Sequence, residues 1–291
     1  MRNIFGRNPF GRMSYLLPSC GQKESIKNMK IEELYIYPIK SARSQSLKEM
    51  KITIEGPEGD RQWMLVDETG KFISQRTLPK LATVEVFHEE AALTIGFQKM
   101  FFKISKNNSF QRKVKVQVWN DSFEAALEPD LYSQALSQYL GVNCRLVRYA
   151  PYSQRRVRSL SMDWKPEVRF ADGRPLQLVN LKSLEELNSR LATPVSIDRF
   201  RANIVFSGNT PYEEEQWKRI RIGEVVFSQP KKCSRCTIIT IDQKTGEPFG
   251  PEPLKTLATY RRDGKDVFFG TLWIPENTGI IKKSDTVEIL E

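Results

Sequence analysis

The chain has 291 residues, 40% of them hydrophobic and 27% charged, with a net charge of +10 and a single histidine. That length buries a substantial core and suits two domains, and no stretch approaches the ~20 apolar residues that cross a bilayer. One histidine excludes His-rich metal sites, H-E-x-x-H hydrolases and paired-histidine nucleases, and the sequence also lacks G-x-x-x-x-G-K-[ST], G-x-G-x-x-G and G-x-S-x-G.

Residues 1–29 read as a flexible extension. Over the first thirty residues Arg2, Arg7, Arg12, Lys23, Lys27 and Lys30 face only Glu24, so half of the charge excess belongs to this end. Such an Arg-bearing, acid-poor tail resembles a mitochondrial presequence, but its clustered Gly, Pro and Asn argue against an amphipathic helix. A cytoplasmic setting is therefore expected, with the mitochondrion as the alternative. Four cysteines form no disulfide framework and point to a reducing compartment. The aromatic residues are not interleaved with Lys and Arg, so no nucleic-acid partner is expected.

From Ile31 the pattern turns to short strands: 31–37 ending at Pro38, 52–54, Trp63–Val66 and 71–74, with a turn at 68–70 between the last two. Segments 82–87 and 92–97 suggest a further pair, and Lys113 to Trp119 alternates strictly. Residues 30–126 thus read as one antiparallel sheet or barrel. A helix fits 129–140, stopped by Gly141, and Cys144 falls in a strand at 143–149 as a small core residue. The run 152–168, carrying Arg155, Arg156 and Arg158, reads as a solvated interdomain crossing. This divides the chain into 30–150 and 151–291. In the second part, strands are expected at 176–179, 202–206, 220–228, 235–241, 267–274 and 286–290. One helix is announced by a capping box at Ser183-Leu-Glu-Glu186, and another lies at 253–260. Short, antiparallel-compatible connections favour a mainly β fold with peripheral helices, built on β-barrels, over a doubly wound sheet. His88 reads as a solvated surface residue.

The densest chemistry lies in Lys231-Lys232-Cys233-Ser234-Arg235-Cys236, followed by Thr237-Ile-Ile-Thr-Ile241-Asp242. C-x-x-C clamps zinc, runs dithiol exchange or lends one thiolate to a softer metal. Zinc lacks a second ligand pair here, since only Cys20, Cys144 and His88 are left. A thioredoxin-like dithiol wants a helix N-terminus, whereas 237–241 reads as strand. A thiolate among Lys231, Lys232 and Arg235, whose charges would lower its pKa and draw an anionic ligand, stays open. So does the plain alternative of two buried cysteines beside a basic surface.

Six ordered blocks carry a resemblance. They are Leu34-Tyr-Ile-Tyr-Pro-Ile-Lys-Ser41, Gly59-Asp-Arg-Gln-Trp-Met-Leu-Val-Asp67, Ile73-Ser-Gln-Arg76, Leu187-Asn-Ser-Arg-Leu191, Phe200-Arg-Ala-Asn203 and Cys233-Ser-Arg-Cys-Thr237, the last continued by Asp242, Thr245-Gly246 and Pro253-Leu254. From Met29 onward the chain resembles the MOSC family, of the amidoxime-reducing component type with an N-terminal β-barrel domain. The resemblance implies a molybdenum cofactor, molybdenum held on molybdopterin, with Cys236 as its protein thiolate and metal ligand. It assigns Lys40, Ser41, Arg61, Asp172, Arg201, Asn203, Ser234 and Arg235 to cofactor contacts and leaves Cys233 without a role. This chain departs from relatives at Asp172-Gly173-Arg174, where they carry hydroxyls, and at Leu272, where they carry a tyrosine.

The activity so implied is reduction of N-hydroxylated small molecules such as amidoximes, hydroxylamines and N-hydroxylated bases. Electrons would come from a separate protein, ferredoxin-type or cytochrome b5-type with its NAD(P)H reductase. Two rivals are a non-catalytic cofactor carrier or sulfur-handling protein, and a metal-free dithiol protein cycling Cys233 and Cys236.

Overall fold

In the computed structural model, which describes residues 29–107, 112–156 and 166–291, the first strand lies between its sequence neighbour Gln45–Leu47 and a strand from the far part of the chain. Lys30–Ile36 pairs antiparallel with Ile204–Ser207, Leu34 opposite Ile204. Ile204–Ser207 runs parallel to Leu176–Asn180, and the order continues through Asp266–Pro275, Val225–Ser234, Arg219–Ile222 and Val287–Ile289. The last strand returns to the first: Lys30 bridges Thr286, and the Ile31 and Val287 amides donate to the Asp285 and Met29 carbonyls. The sheet closes at this corner, which removes an edge that would otherwise pair with other chains.

Alternation along these strands sends Leu34, Leu178, Ile204, Phe206, Phe227 and Trp273 into one buried core. Each such side chain contributes about 1.5–3 kcal/mol on leaving water. Trp273 is fully buried, and its indole N–H is satisfied by Thr271 Oγ1 at 2.8 Å. A second sheet, ordered Trp63–Val66, Arg145–Arg148, Asp121–Leu127, Lys113–Val118, and a third of Glu85–His88, Ala92–Phe97 and Met100–Ser105 occupy the first half. Helix Asp130–Leu140 buries Leu136 and Leu140 and ends as expected at Gly141, whose φ of 75° suits a residue without Cβ. The chain is mainly β with peripheral helices. Among the described residues no helix is long and apolar enough to cross a membrane.

Several expectations are corrected. Residues 30–126 do not form one sheet of their own, because Lys30–Ile36 and Glu49–Thr53 pair with Ile204–Ser207 and Gly279–Lys282 from the far end of the chain. Ser183 is no cap. Helix Leu181–Ser189 starts at Asn180, whose side chain accepts from the Lys182 amide, while Ser183 Oγ accepts from the Tyr212 amide and Glu186 takes the Tyr212 and Tyr260 hydroxyls. The expected strand 220–228 is two, Arg219–Ile222 and Val225–Ser234, folded at Gly223. The segment 82–87 begins as the 3-10 turn Pro79–Thr83. Arg155 is buried rather than solvated, donating to Asp121 and to the Arg169 and Ala171 carbonyls. Arg158, Cys20 and the N-terminal extension up to residue 28 lie outside the described residues.

His88 is half-buried, edge-on to Trp63 at 6.3 Å, and its ring fills the space over Gly59 in the turn that carries Asp60 and Arg61. Burial, with Lys106 and Arg169 adding to it and Glu58 opposing, pushes its pKa down to about 4. The unfolded chain, with an ordinary histidine near 6.5, therefore binds this proton more readily, and stability falls as pH drops from about 6.5 to about 4. His88→Phe should remove on the order of 1–2 kcal/mol of that loss, allowing for partial exposure. The check is chemical denaturation of both proteins from pH 7 to 4; equal slopes would show that His88 does not titrate on unfolding.

Candidate functional site

Every sequence-assigned site residue, from Lys40 to Cys236, lines one cavity of about 500 Å³. Its floor is organised by a buried carboxylate. Asp60 accepts from the Tyr37 amide at 2.8 Å and from Asn203 Nδ2 at 3.1 Å through Oδ1, and pairs with Arg61 through Oδ2. Asn203 Oδ1 accepts from Arg61 at 3.0 Å and from the Gln177 amide at 3.1 Å. Asn203 is thus fully engaged by protein and acts as a strut between the two halves. Tyr37 has the guanidinium carbons of both Arg61 and Arg201 4.3 Å from its ring centroid. Burial raises its hydroxyl well above the ordinary tyrosine range, so the ring between these cations is neutral.

Ser41, Arg61, Trp119 and Arg201 all line the cavity with positive φ, 67°, 45°, 56° and 54°. Non-glycine residues in this region cost about 1–3 kcal/mol each, and such strain gathers at functional sites.

On one wall Lys40 and Asp172 form an ion pair at 2.5 Å, the lysine 6% and the aspartate 61% exposed at the side chain. Burial lowers the Lys40 pKa to about 8, with Asp172 pulling the other way. For Asp172 burial acts upward but is outweighed by Lys40 and a hydrogen bond from Trp119 Nε1 at 2.9 Å, which hold the carboxyl far below its usual range. The Trp119 ring lies 4.6 Å from the Arg76 guanidinium, whose Nε donates to Cys236 Sγ at 3.3 Å. A chain of contacts therefore runs from Lys40 to the thiol.

Cys236 is partly exposed and Cys233 buried, with burial pushing the Cys233 thiol up. The expected strand 235–241 is absent. The sheet stops at Ser234, and Thr237–Thr240 forms a 3-10 turn in which Thr240 Oγ1 donates to the Thr237 carbonyl. Arg235 turns its guanidinium onto the Phe200 and Phe269 carbonyls at 2.7–2.9 Å, and Lys232 pairs with Glu215 at 3.2 Å. The cation that hydrogen-bonds the Cys236 sulfur is instead Arg76. Ser234 Oγ donates to Asp266 at 3.2 Å.

Among the described residues, the cations lining the cavity include Lys40, Arg61, Arg76, Arg174, Arg199 and Arg201, against the one lining carboxylate of Asp172. Arg174 Nε and NH1 and Arg199 NH1 are buried without hydrogen-bond partners among the described residues. This wall fits an anionic, phosphate-bearing group, and the thiol fits a soft metal. Among the described residues no three His, Cys, Asp or Glu converge on a metal position. Sequence reasoning missed Arg76, Trp119 and Arg199. Arg76 stands inside a quoted block, while nothing in the sequence links Trp119 to Asp172.

The pattern of the MOSC N-terminal beta barrel domain matches residues 28–143, and that of the MOSC domain residues 165–288. "Mitochondrial amidoxime-reducing component 1" of Mus musculus is 30% identical over 279 residues, covering 89% of this chain and 82% of that protein. The Homo sapiens protein of the same name is 30% identical over 278 residues, with the same coverage. "Molybdenum cofactor sulfurase" of Oryza sativa subsp. japonica is 29% identical over 283 residues, 88% of this chain, which spans only 34% of that relative.

The Arg76 contact predicts thiol reactivity. In protein free of metal, iodoacetamide at pH 7 should modify Cys236 well before Cys233 or Cys144, and Arg76→Met should slow Cys236 by roughly three- to tenfold by removing a charge-assisted hydrogen bond. Peptide mapping by mass spectrometry reads both; an unchanged Cys236 rate in the variant would remove Arg76 from the account.

Proposed function

This chain belongs to the MOSC family, as a protein of the amidoxime-reducing component type with the MOSC N-terminal beta barrel domain, and from that premise we propose that it is a molybdenum cofactor-dependent reductase of N-hydroxylated compounds. The observation that carries the reading is one partly exposed thiol, Cys236, on a cavity whose wall holds a large excess of cations, Lys40, Arg174 and Arg199 among them buried.

Cys236 Sγ would be the protein ligand to the metal, and Arg76 Nε, donating to that sulfur, fixes its direction. Lys40, Ser41, Arg61, Arg201, Ser234 and Arg235 would line the bound cofactor, with Arg235 placed by the Phe200 and Phe269 carbonyls and Asn203 acting through Arg61. The chemistry supplied by the cofactor when bound is two-electron removal of oxygen from an N-hydroxylated substrate, giving the amine-type product and water. Lys40 Nζ, with its pKa lowered to about 8, holds a proton that it can exchange near neutral pH, and Asp172 keeps it charged and oriented. Leu272 and Phe200 give the cavity an apolar share that limits water. Electrons arrive from a separate ferredoxin-type or cytochrome b5-type protein. Relatives named for the mitochondrion favour the mitochondrial of the two expected settings.

The similarity to molybdenum cofactor sulfurases supports a second reading, in which the cofactor is bound or its sulfur handled without turnover. Benzamidoxime reduction with a supplied donor separates the two. The reductase turns over, Cys236→Ala loses activity by at least about a thousandfold, and Cys233→Ala keeps a substantial fraction. Equal losses in the two variants would instead favour a dithiol mechanism, and cofactor without turnover would favour the carrier.

A further inference from the structure

Arg174 lines the cavity, is 9% exposed, and has Nε and NH1 without a hydrogen-bond partner among the described residues. Burial is the one cause acting on its pKa, and it acts downward. The other guanidiniums of the wall are committed: Arg61 to Asp60 and Asn203, Arg201 to the Ala42 carbonyl and Gln243, Arg235 to Phe200 and Phe269. Arg199, 4% exposed, is partly so. Its NH2 reaches Asp242 at 3.4 Å and its guanidinium lies over Phe249, but NH1 has no hydrogen-bond partner among the described residues. A buried guanidinium with unmet donors is costly, and Arg cannot escape the cost by shedding its proton. Something that enters the cavity must complete it.

We propose that Arg174 and Arg199 form an oxyanion subsite in the cavity wall, taking a phosphate or carboxylate group carried by the molecule that fills the cavity. Guanidinium donors match the oxygens of such groups, and a site closed to bulk water strengthens the bond. The subsite deepens the reductase reading in naming its two sources, a phosphate monoester on the cofactor or a carboxylate on the substrate. Its existence does not depend on turnover.

The test begins with inorganic phosphate titrated into the full chain lacking cofactor, by calorimetry, with chloride at matched ionic strength as control. Wild type should bind phosphate. Arg174→Gln and Arg199→Gln should bind it about tenfold or more weakly, and Arg174→Lys should recover part of the loss. Removing an unpaired buried cation leaves the melting temperature of Arg174→Gln equal or higher, so misfolding of that variant is readily recognised. On protein holding its cofactor, faster pterin loss from Arg174→Gln assigns the subsite to the phosphate. A rise in KM confined to carboxylate-bearing N-hydroxylated substrates assigns it to the substrate. Phosphate binding equal in wild type and both Gln variants, or abolished by matched chloride, overturns the proposal. Because the titration uses no molybdenum, its failure is distinct from failure of the reductase reading.

Discussion

Positive charge kept below the surface is the constraint on which this structure turns. Guanidiniums and an ammonium gather in one cavity wall, and among the described residues Asp172 is the carboxylate that lines it with them. Like charges in low dielectric repel strongly, and the fold answers in three ways. Asp60 and backbone carbonyls take the donors of Arg61, Arg201 and Arg235. Aromatic faces take the flat sides, Tyr37 between two guanidiniums and Trp119 over Arg76. What is left over, among the described residues, is a set of unmet donors on Arg174 and Arg199. Stability and ligand recognition are therefore the same electrostatic problem in this region.

Sheet closure makes that wall possible. Lys40 and Arg61 come from the first part of the chain, Arg201 and Arg235 from the last third, and the pairing of Lys30–Ile36 with Ile204–Ser207 brings them together. Asn203 follows directly from that pairing: it leads into Ile204–Ser207, and its side chain bonds to Tyr35, Asp60 and Arg61. Strained backbone at Ser41, Arg61 and Arg201 is held in place by this long-range network. The thiol comes to the same cavity because strand Val225–Ser234 ends one residue after Cys233 and the chain turns sharply through Cys236.

Local periodicity made much of this legible. Trp63–Val66, the alternation of Lys113–Val118 and the helix closed by Gly141 stand where their patterns put them. Reading failed where a distant partner decided the outcome. Lys30–Ile36 looks like any strand, and nothing within it says that its partner lies some 170 residues on. Ser183 and Glu186 have cap-like spacing, but tertiary contacts to Tyr212 and Tyr260 claim them. Thr237 to Ile241 has the β-branched composition of a strand, yet it packs as a turn. The assigned site residues converge because the resemblance supplied them, whereas Arg76 and Trp119 act through contacts that only the folded chain creates.

The most direct measurement of the central claim, that this cavity holds a molybdenum cofactor, is metal and pterin content in protein purified from a host able to make the cofactor. Elemental analysis and fluorescence after oxidation read the two together. The account predicts near-stoichiometric molybdenum accompanied by pterin. Folded protein from such a host with neither would contradict it, and would leave the buried cations to be explained by some other anion.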